Sequence, residues 1–144
     1  MANGERPKEI VSYVMSRNKG KDTKPEIIVR KYLFSRRLRF RKNDKRYPGQ
    51  PDIVLPKYRT IIFVHGCFWH QHEGCSHFSM PKVRLDFWQA KFDRNRQRDA
   101  RNIEKLESLG WRVIVVWECE LKKSSRDMRL ERLYDEIIGV LIQG

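Results

Sequence analysis

The chain has 144 residues, with 31 Lys or Arg and 18 Asp or Glu, so its formal net charge is +13 at pH 7. This length suits one domain with a real core, and the charge points to nucleic acid as the partner, with solubilising charge as the alternative. No stretch reaches the ~18 apolar residues of a membrane span, and the polar N-terminus lacks the apolar core of a signal peptide. We therefore expect no membrane partner and a cytoplasmic location, where three cysteines serve as thiolate ligands or buried thiols.

The predicted elements follow the order α-β-β-β-α-β-α behind a basic N-terminal arm of residues 1–22, which carries at most a short helix over 9–17. Thr23 and Glu26 have the spacing of a capping box, and Pro25 suits a first turn, so a helix begins there and ends near 35–37. Apolar runs predict four strands, and longer periodic stretches predict two more helices. The strands are expected over 38–41, 52–55, 58–65 and 111–117, and the helices over 85–109 and 126–141.

Two strand pairs set the predicted topology. Strands 52–55 and 58–65 are separated by only two residues, which predicts a hairpin. Strands 58–65 and 111–117 are joined through the long helix, which predicts a right-handed crossover and a parallel pair. The fold class is therefore α/β, a single domain over 23–144 with a mixed central sheet flanked by helices.

A cluster of metal-ligand residue types lies in the loop after strand 58–65. Cys67, His72 and Cys75 fall within nine positions, and Cys119 follows the strand that we place beside 58–65. Together they make a Cys₃His set, a usual composition of a structural zinc site, and the metal would order the loop. The alternative is three buried thiols and an unrelated histidine. The short spacing favours zinc.

A second group of residues predicts catalysis. Asp52 opens the first strand of the hairpin and His65 ends the second, so both lie at one end of the sheet, with His70 in the following loop. A carboxylate oxygen is a good Mg²⁺ ligand, and imidazoles transfer protons near neutral pH. The set predicts phosphodiester hydrolysis. Taken singly, Asp52 is a residue of a turn and each histidine is an ordinary surface or core residue.

Two further acids have ambiguous roles. Glu26 is either the capping-box glutamate or a second acid near the metal, and its spacing favours the cap. Asp99 either holds a nearby imidazole or pairs with an arginine of the long helix.

Large aromatic residues lie in or beside the polar loop. Phe68 and Trp69 follow Gly66, and Phe87 and Trp88 open the long helix. Such residues suit wedges or stacking platforms for bases, although packing over the zinc loop is the alternative. The middle of the helix is rich in cations, some of which would meet phosphates while others form a solvated surface. These cations are Lys91, Arg94, Arg96, Arg98 and Arg101.

At these residues the sequence resembles the very-short-patch-repair (Vsr) mismatch endonucleases. The sequence VHGCFWH at 64–70, next to a zinc-type cluster, is the most specific part of the resemblance. Other matching stretches lie at 15–17, 20–26, 48–52, 86–88, 109–113 and 117–119. The resemblance implies a restriction-endonuclease-like core of the PD-(D/E)xK type with a structural zinc.

The resemblance also implies an activity and roles for single residues. The family makes a Mg²⁺-dependent nick 5′ of the thymine in a T:G mismatch, the lesion left by deamination of 5-methylcytosine. It implies a monomer acting on double-stranded DNA in the bacterial cytoplasm, close to the nucleoid and functionally paired with a cytosine-5 methyltransferase. By position, the metal ligands are Asp52 and the carbonyl of Val64, and the catalytic histidines are His65 and His70, with Glu26 and Asp99 in support. The zinc ligands would be Cys67, His72, Cys75 and Cys119, and the intercalating residues Phe68, Trp69, Trp88 and Met15.

Two alternatives to the nicking enzyme stay open at this point. One is a zinc-stabilised mismatch-binding module without catalysis, in which a carboxylate facing phosphate would have no use. The other is a sequence-specific restriction enzyme of the same fold, which would cut both strands of matched duplex.

Overall fold

A computed structural model of the chain describes residues 22–76 and 78–143. Apart from Asp22, the predicted N-terminal arm lies outside these residues, and so do its short helix and Met15. The described elements follow the predicted order α-β-β-β-α-β-α. No helix in the described part of the chain is long and apolar enough to cross a membrane.

A four-stranded sheet forms the centre, in the spatial order β1-β2-β3-β4. β1 pairs with β2, and β2 with β3, in antiparallel fashion, whereas β3 and β4 are parallel. The predicted hairpin and the predicted parallel pair are therefore confirmed. The strands are β1 (Arg41–Lys42), β2 (Ile53–Leu55), β3 (Thr60–His65) and β4 (Arg112–Trp117).

Helices cover both faces of the sheet. α1 (Lys24–Ser35) and α3 (Arg126–Gln143) share a buried cluster with alternate residues of β2, β3 and β4, such as Ile53, Ile62 and Ile114. α2 (Leu85–Ser108) packs on the other face, where Leu106 contacts a smaller cluster that includes Val54, Ile61 and Phe63. Successive strand side chains point to opposite faces, so an almost continuously apolar strand such as β3 serves both layers.

Two predicted strand boundaries are wrong. The strand expected over 38–41 is reduced to β1, because the backbone N–H of Leu38 donates to the Leu33 carbonyl at the end of α1 and so cannot join a sheet. Leu38 is buried in the core instead. The connection after β2 is a 3₁₀ turn, Pro56–Tyr58, with Arg59 in the left-handed region at φ 48°, so β3 begins at Thr60 and not at residue 58.

The parallel pair decides what meets at one end of the molecule. The register of β3 and β4 sets His65 beside Trp117, at the carboxyl ends of both strands. The loop after β3 and the 3₁₀ turn Glu118–Leu121 after β4 therefore begin side by side. α1 also begins near this end, since its N-terminal residues line the same cleft as His65.

Candidate active site and metal centre

The four predicted zinc ligands lie together. One donor atom each from Cys67, His72, Cys75 and Cys119 can be chosen so that all four lie within 4.8 Å of one another. Cys67 and Cys119 each come two residues after the paired positions His65 and Trp117, so strand register alone brings them together. The Cys119 Sγ atom lies 3.5 Å from His72 Nδ1. Three sulfurs and one imidazole at this spacing fit a tetrahedral zinc ion.

The surroundings of the cluster suit a bound cation. Burial, together with neighbouring thiols, raises the pKa of Cys67, and burial raises the pKa of Cys119 in the same way. Thiolates are therefore disfavoured here unless a cation stabilises them, and a coordinated zinc ion does so. Trp117 stacks on the His72 ring, with centroids 3.9 Å apart and planes 4° apart, and so fixes the orientation of this predicted ligand.

Short backbone hydrogen bonds shape the loop from Gly66 onward. The N–H groups of His70, Gln71 and His72 donate to the carbonyls of Gly66, Phe68 and Cys67, respectively. Glu118 accepts from the Cys67 N–H at 3.3 Å and ties the loop to the end of β4. Its role was not predicted, although its position directly before Cys119 was available as a signal.

A cleft of about 970 Å³ opens beside this loop at the same end of the sheet. All five residues predicted to be catalytic line it, and they come from α1, the residue before β2, β3, the loop and α2. They are Glu26, Asp52, His65, His70 and Asp99. The aromatic residues Phe68 and Trp69 also line the cleft.

Asp52 is fixed at the wall of this cleft. Its Oδ2 atom accepts a hydrogen bond of 2.6 Å from the Val64 N–H, and its carbonyl accepts one of 3.0 Å from the Asn43 N–H. The preceding turn is held close to α2, because a Cβ atom on Gly49, at φ +81°, would lie 3.0 Å from Asn102 Nδ2. A glycine is therefore required for this approach.

Two carboxylates share this part of the cleft. Burial is the main cause that raises the pKa of Asp52 to about 7, and the negative charge of Glu26 is the second. Glu26 is only 3% exposed and also caps α1, since its oxygens accept from the Asp22 N–H and the Thr23 hydroxyl at 3.0 Å each. Glu26 can therefore cap α1 and still lie close enough to Asp52 to affect its charge. Two carboxylates that line one cleft, Glu26 buried and Asp52 partly buried, supply hard oxygen donors that fit a Mg²⁺ ion.

The two histidines form a stacked pair in the same cleft as these acids. The rings of His65 and His70 have centroids 3.8 Å apart and planes 3° apart. His70 Nδ1 makes a short hydrogen bond with Asp99 Oδ2, so the resemblance-based role of Asp99 has the geometry it needs. Donor atoms of the three residues lie within 4.8 Å of one another, but parallel rings direct their lone pairs side by side rather than toward one point. The arrangement suits proton transfer better than metal chelation.

His65 is the more buried ring of the pair. It is 7% exposed, and burial, followed by the charge of His70, lowers its pKa to about 3. Its Nδ1 atom is buried and has no hydrogen-bond partner in the described part of the chain. His65 therefore stays neutral at physiological pH.

Phe68 and Trp69, here called the aromatic wedge, are part of a larger aromatic cluster. Phe68 has centroid distances of 5.2 Å to Trp69 and 5.3 Å to each of Trp88 and Phe92. Phe68 and Trp69 are partly exposed, whereas Trp88 is 2% exposed. In this conformation Trp88 packs against Phe68 and Trp69, and its ring is not accessible to a base. Met15, the fourth residue predicted to intercalate, lies outside the described residues.

One contact that holds the wedge was not predicted. The buried Asn95 donates from Nδ2 to the Trp69 carbonyl at 3.0 Å, and its Oδ1 accepts from Arg98 at 2.7 Å. The signal for Asn95 was its helical spacing from Trp88 and Phe92, which places it on the buried face of α2. A buried amide on such a face needs partners, and here it binds the loop.

Comparisons with known proteins find related sequences. The family profile described as "DNA mismatch endonuclease Vsr" matches residues 6–77. The "Type II nicking enzyme V.NmeAIP" of Neisseria meningitidis serogroup A is 54% identical over 127 residues, which cover 88% of this chain and 90% of that protein. The "Type II nicking enzyme V.XorIIP" of Xanthomonas oryzae is 48% identical over 124 residues, 85% of this chain and 90% of that protein.

A further relative carries the family name itself. The "DNA mismatch endonuclease Vsr" of Escherichia coli is 43% identical over 122 residues, which cover 83% of this chain and 78% of that protein. Identities of this size across most of both chains establish common family membership. The resemblance seen in the sequence is thereby confirmed, and the chain belongs to the Vsr family of DNA mismatch endonucleases.

Proposed function

We propose that this endonuclease nicks one DNA strand 5′ of the thymine in a T:G mismatch, the product of 5-methylcytosine deamination, by Mg²⁺-dependent hydrolysis. The observation that carries the proposal is a single cleft that combines a buried carboxylate, a partly buried one, a stacked histidine pair and a partly exposed aromatic loop. Relatives named as nicking enzymes and as a mismatch endonuclease support the strand-specific cut. The enzyme would act as a monomer on double-stranded DNA, paired functionally with a cytosine-5 methyltransferase.

Asp52 and the Val64 carbonyl would hold the magnesium ion, with Glu26 orienting water beside them. The donor set fits, because these are hard oxygens and two carboxylates share the cleft. The bound ion would supply neutralisation of charge on the scissile phosphate.

The residues of the chain supply the proton transfers. A water molecule attacks phosphorus and loses a proton to one imidazole, while the other protonates the departing 3′ oxygen. The bond between phosphorus and this oxygen breaks, which leaves a 3′-hydroxyl and a 5′-phosphate. Asp99 holds His70 through Nδ1, so Nε2 is the atom of His70 left for substrate. One such site cuts one strand.

The zinc and aromatic residues would prepare the substrate. Cys67, His72, Cys75 and Cys119 would hold the zinc ion, which would fix the loop that carries both His70 and the wedge. Phe68 and Trp69 would enter the base stack at the mismatch, which costs less unstacking energy than at a matched pair. The enzyme would thus prefer the mismatch because base stacking is weakest there.

The overall architecture supports a restriction-endonuclease-like fold. A mixed sheet carries Asp52 just before β2 and His65 at the end of β3, on the same side as α2. This places an acidic residue and its neighbours at one end of a sheet between helices, which is the arrangement that the resemblance implies. The stacked histidines would do the work that a lysine does in PD-(D/E)xK enzymes.

The test is a strand-labelled duplex with one T:G pair, compared with T:A and C:G duplexes of identical sequence, in the presence of Mg²⁺. We expect a nick on the thymine strand of the mismatched duplex only, lost in Asp52→Ala. Asp93→Asn, which changes an exposed acid on α2, is the matched control and should retain activity. Binding of T:G without any cut would favour a binding module, and cutting both strands of T:A or C:G would favour a restriction enzyme; either result would refute the proposal.

A further inference from the structure

Helix α2 carries a row of cations along one flank. Positions 91, 94, 98, 101 and 105 are separated by three or four residues, so their side chains stand one above another on the helix. They are Lys91, Arg94, Arg98, Arg101 and Lys105, here called the α2 basic row. The acidic residues of the helix, at 86, 93, 99, 104 and 107, all fall on other sides.

The charges of this row are not neutralised within the described part of the chain. Lys91 is partly buried and the other four members are exposed, and none of the five forms an ion pair with a described residue. Arg96, on the opposite flank, shows the contrast, because it pairs with Glu73 at 3.2 Å. Among the described residues, the hydrogen bond of Arg98 goes to the neutral amide oxygen of Asn95, which keeps the charge of Arg98 available.

The row connects the aromatic loop, the cleft and the surface beyond them. At one end, the Lys91 Nζ atom lies 5.6 Å from the centroid of the Trp69 ring. In the middle, Arg98 lines the cleft. At the other end, Lys105 lies in the last turn of α2, far from the loop. At 1.5 Å per residue the row spans roughly 21 Å, which is about the rise of six base pairs of duplex.

The cleft itself needs help to attract DNA. Four carboxylates line it, those of Glu26, Asp52, Asp99 and Glu118, and they repel phosphate when no metal is bound. Sequence-independent affinity for DNA comes from cations that neutralise phosphates and release counterions. The α2 basic row is an unpaired set of such cations that begins beside the wedge and passes the cleft.

We propose that the α2 basic row binds consecutive phosphates of the DNA backbone on one flank of the mismatch. The inference rests on the proposed function, because it takes the cleft as the place of the cut. It adds that the enzyme holds the duplex asymmetrically, with its backbone contacts extending from the wedge along α2 to one side only. Arg94 and Arg101 are the members best suited to a test, since both are exposed and neither lines the cleft.

The experiment compares Arg94→Gln/Arg101→Gln with the control Lys31→Gln/Lys57→Gln, which removes two exposed cations from α1 and from the 3₁₀ turn after β2. Dissociation constants are measured by fluorescence anisotropy without magnesium, on T:G and T:A duplexes, between 50 and 200 mM salt. Each lost phosphate contact lowers the slope of log Kd against log salt by about 0.9. Raising the salt over this range should therefore weaken the binding of wild type about tenfold more than it weakens the binding of the test variant. The control should match wild type.

A second measurement tests the asymmetry. Duplexes are shortened by six base pairs on either side of the mismatch. Wild type and control should lose affinity when one particular side is shortened, and Arg94→Gln/Arg101→Gln should be insensitive to that shortening. Equal salt slopes for the test and control variants, or equal losses from both sides in wild type, would overturn the proposal. Because binding is read without cleavage and on T:A as well, failure to nick would refute the proposed function without deciding this test.

Discussion

His65 and His70 stack face to face, with ring centroids 3.8 Å apart. Two positive charges at this distance repel strongly, so only one ring of the pair carries a proton beyond its neutral form. Asp99 bonds to His70 and not to His65, and His65 is nearly buried. His70 is therefore the ring of the pair that has a carboxylate partner, and we expect Asp99 to act as a positioning residue for the reaction.

Asp99→Asn should slow nicking by about a hundredfold, because the variant loses the carboxylate that orients the His70 ring and fixes its tautomer. The measurement is the single-turnover rate on a T:G duplex, with its pH profile. Stability should change little, since Asp99 is partly exposed. Asp93→Asn is the matched control, as the asparagine oxygen can still accept from Gln89. A variant with a wild-type rate and pH profile would contradict this role.

Asp52→Asn should stabilise the magnesium-free protein at high pH. Burial, with the charge of Glu26 second, raises the pKa of Asp52 from 3.8 to about 7 in the folded state. The folded state then binds more protons than the unfolded state between these values, so stability is lost as pH rises from about 4 to about 7. Asparagine cannot ionise, yet its oxygen can still accept from the Val64 N–H. Between pH 4 and pH 8, the free energy of unfolding of Asp52→Asn should rise relative to that of wild type by roughly 2–4 kcal/mol.

Urea unfolding at pH 4.5, 6 and 8 in magnesium-free buffer checks this expectation. Added Mg²⁺ at pH 8 should stabilise wild type but not Asp52→Asn, because a ligand that binds only the folded state raises stability. A gap that stays constant with pH, or a variant that responds to Mg²⁺ as wild type does, would argue against a desolvated, metal-binding carboxylate at this position.

The sequence predicts the elements of this fold better than their ends. Apolar runs give β3 and β4 and their parallel pairing, because a long helical crossover leaves few other solutions. The start of β1 is predicted three residues too early, because one backbone hydrogen bond, from Leu38 to Leu33, commits the chain to the end of α1. Such a bond depends on the left-handed turn at Arg37, at φ 64°, and no pattern of hydropathy reports it.

The residues of the site are predictable where chemistry demands a residue type. Cysteines and histidines at short spacing indicate a metal cluster, and strand register then supplies Cys119. Contacts made by ordinary side chains are not predictable in this way. Asn95 holding the Trp69 carbonyl and Trp117 stacking on His72 depend on how the loop is folded, and neither residue type indicates a site on its own.

One equivalent of zinc should purify with the protein and be lost in Cys119→Ser. The variant removes one of four converging donors, and the loop then loses the cation that links it to the end of β4. A loss of about 3 kcal/mol would lower the melting temperature by roughly 10 °C for a domain of this size. Metal content by mass spectrometry and thermal unfolding check both effects. Ser76→Ala, an exposed change next to Cys75, is the control and should retain zinc. Full zinc content in Cys119→Ser would exclude Cys119 as a ligand.

Truncation of Trp88 should affect mainly stability, whereas truncation of Trp69 should affect mainly the recognition of DNA. Trp88 is 2% exposed among Phe68, Phe92 and Trp69, so Trp88→Ala should cost about 3–5 kcal/mol of unfolding free energy. Trp69 is partly exposed at the cleft, and its carbonyl contact with Asn95 survives truncation. Trp69→Ala should therefore lose less stability but reduce the preference for T:G over T:A duplex, by about 1–3 kcal/mol if the ring stacks on a base.

Urea unfolding and anisotropy titrations with T:G and T:A duplexes separate the two effects. Phe87→Ala serves as the comparison, because Phe87 is partly exposed at the start of α2 and does not line the cleft. Phe87→Ala should lower the free energy of unfolding less than Trp88→Ala does, and the preference for T:G duplex less than Trp69→Ala does. If Trp88→Ala were fully stable but lost mismatch preference, Trp88 would have to leave its buried position to meet DNA, and the division between an inserting ring and a supporting ring would be wrong.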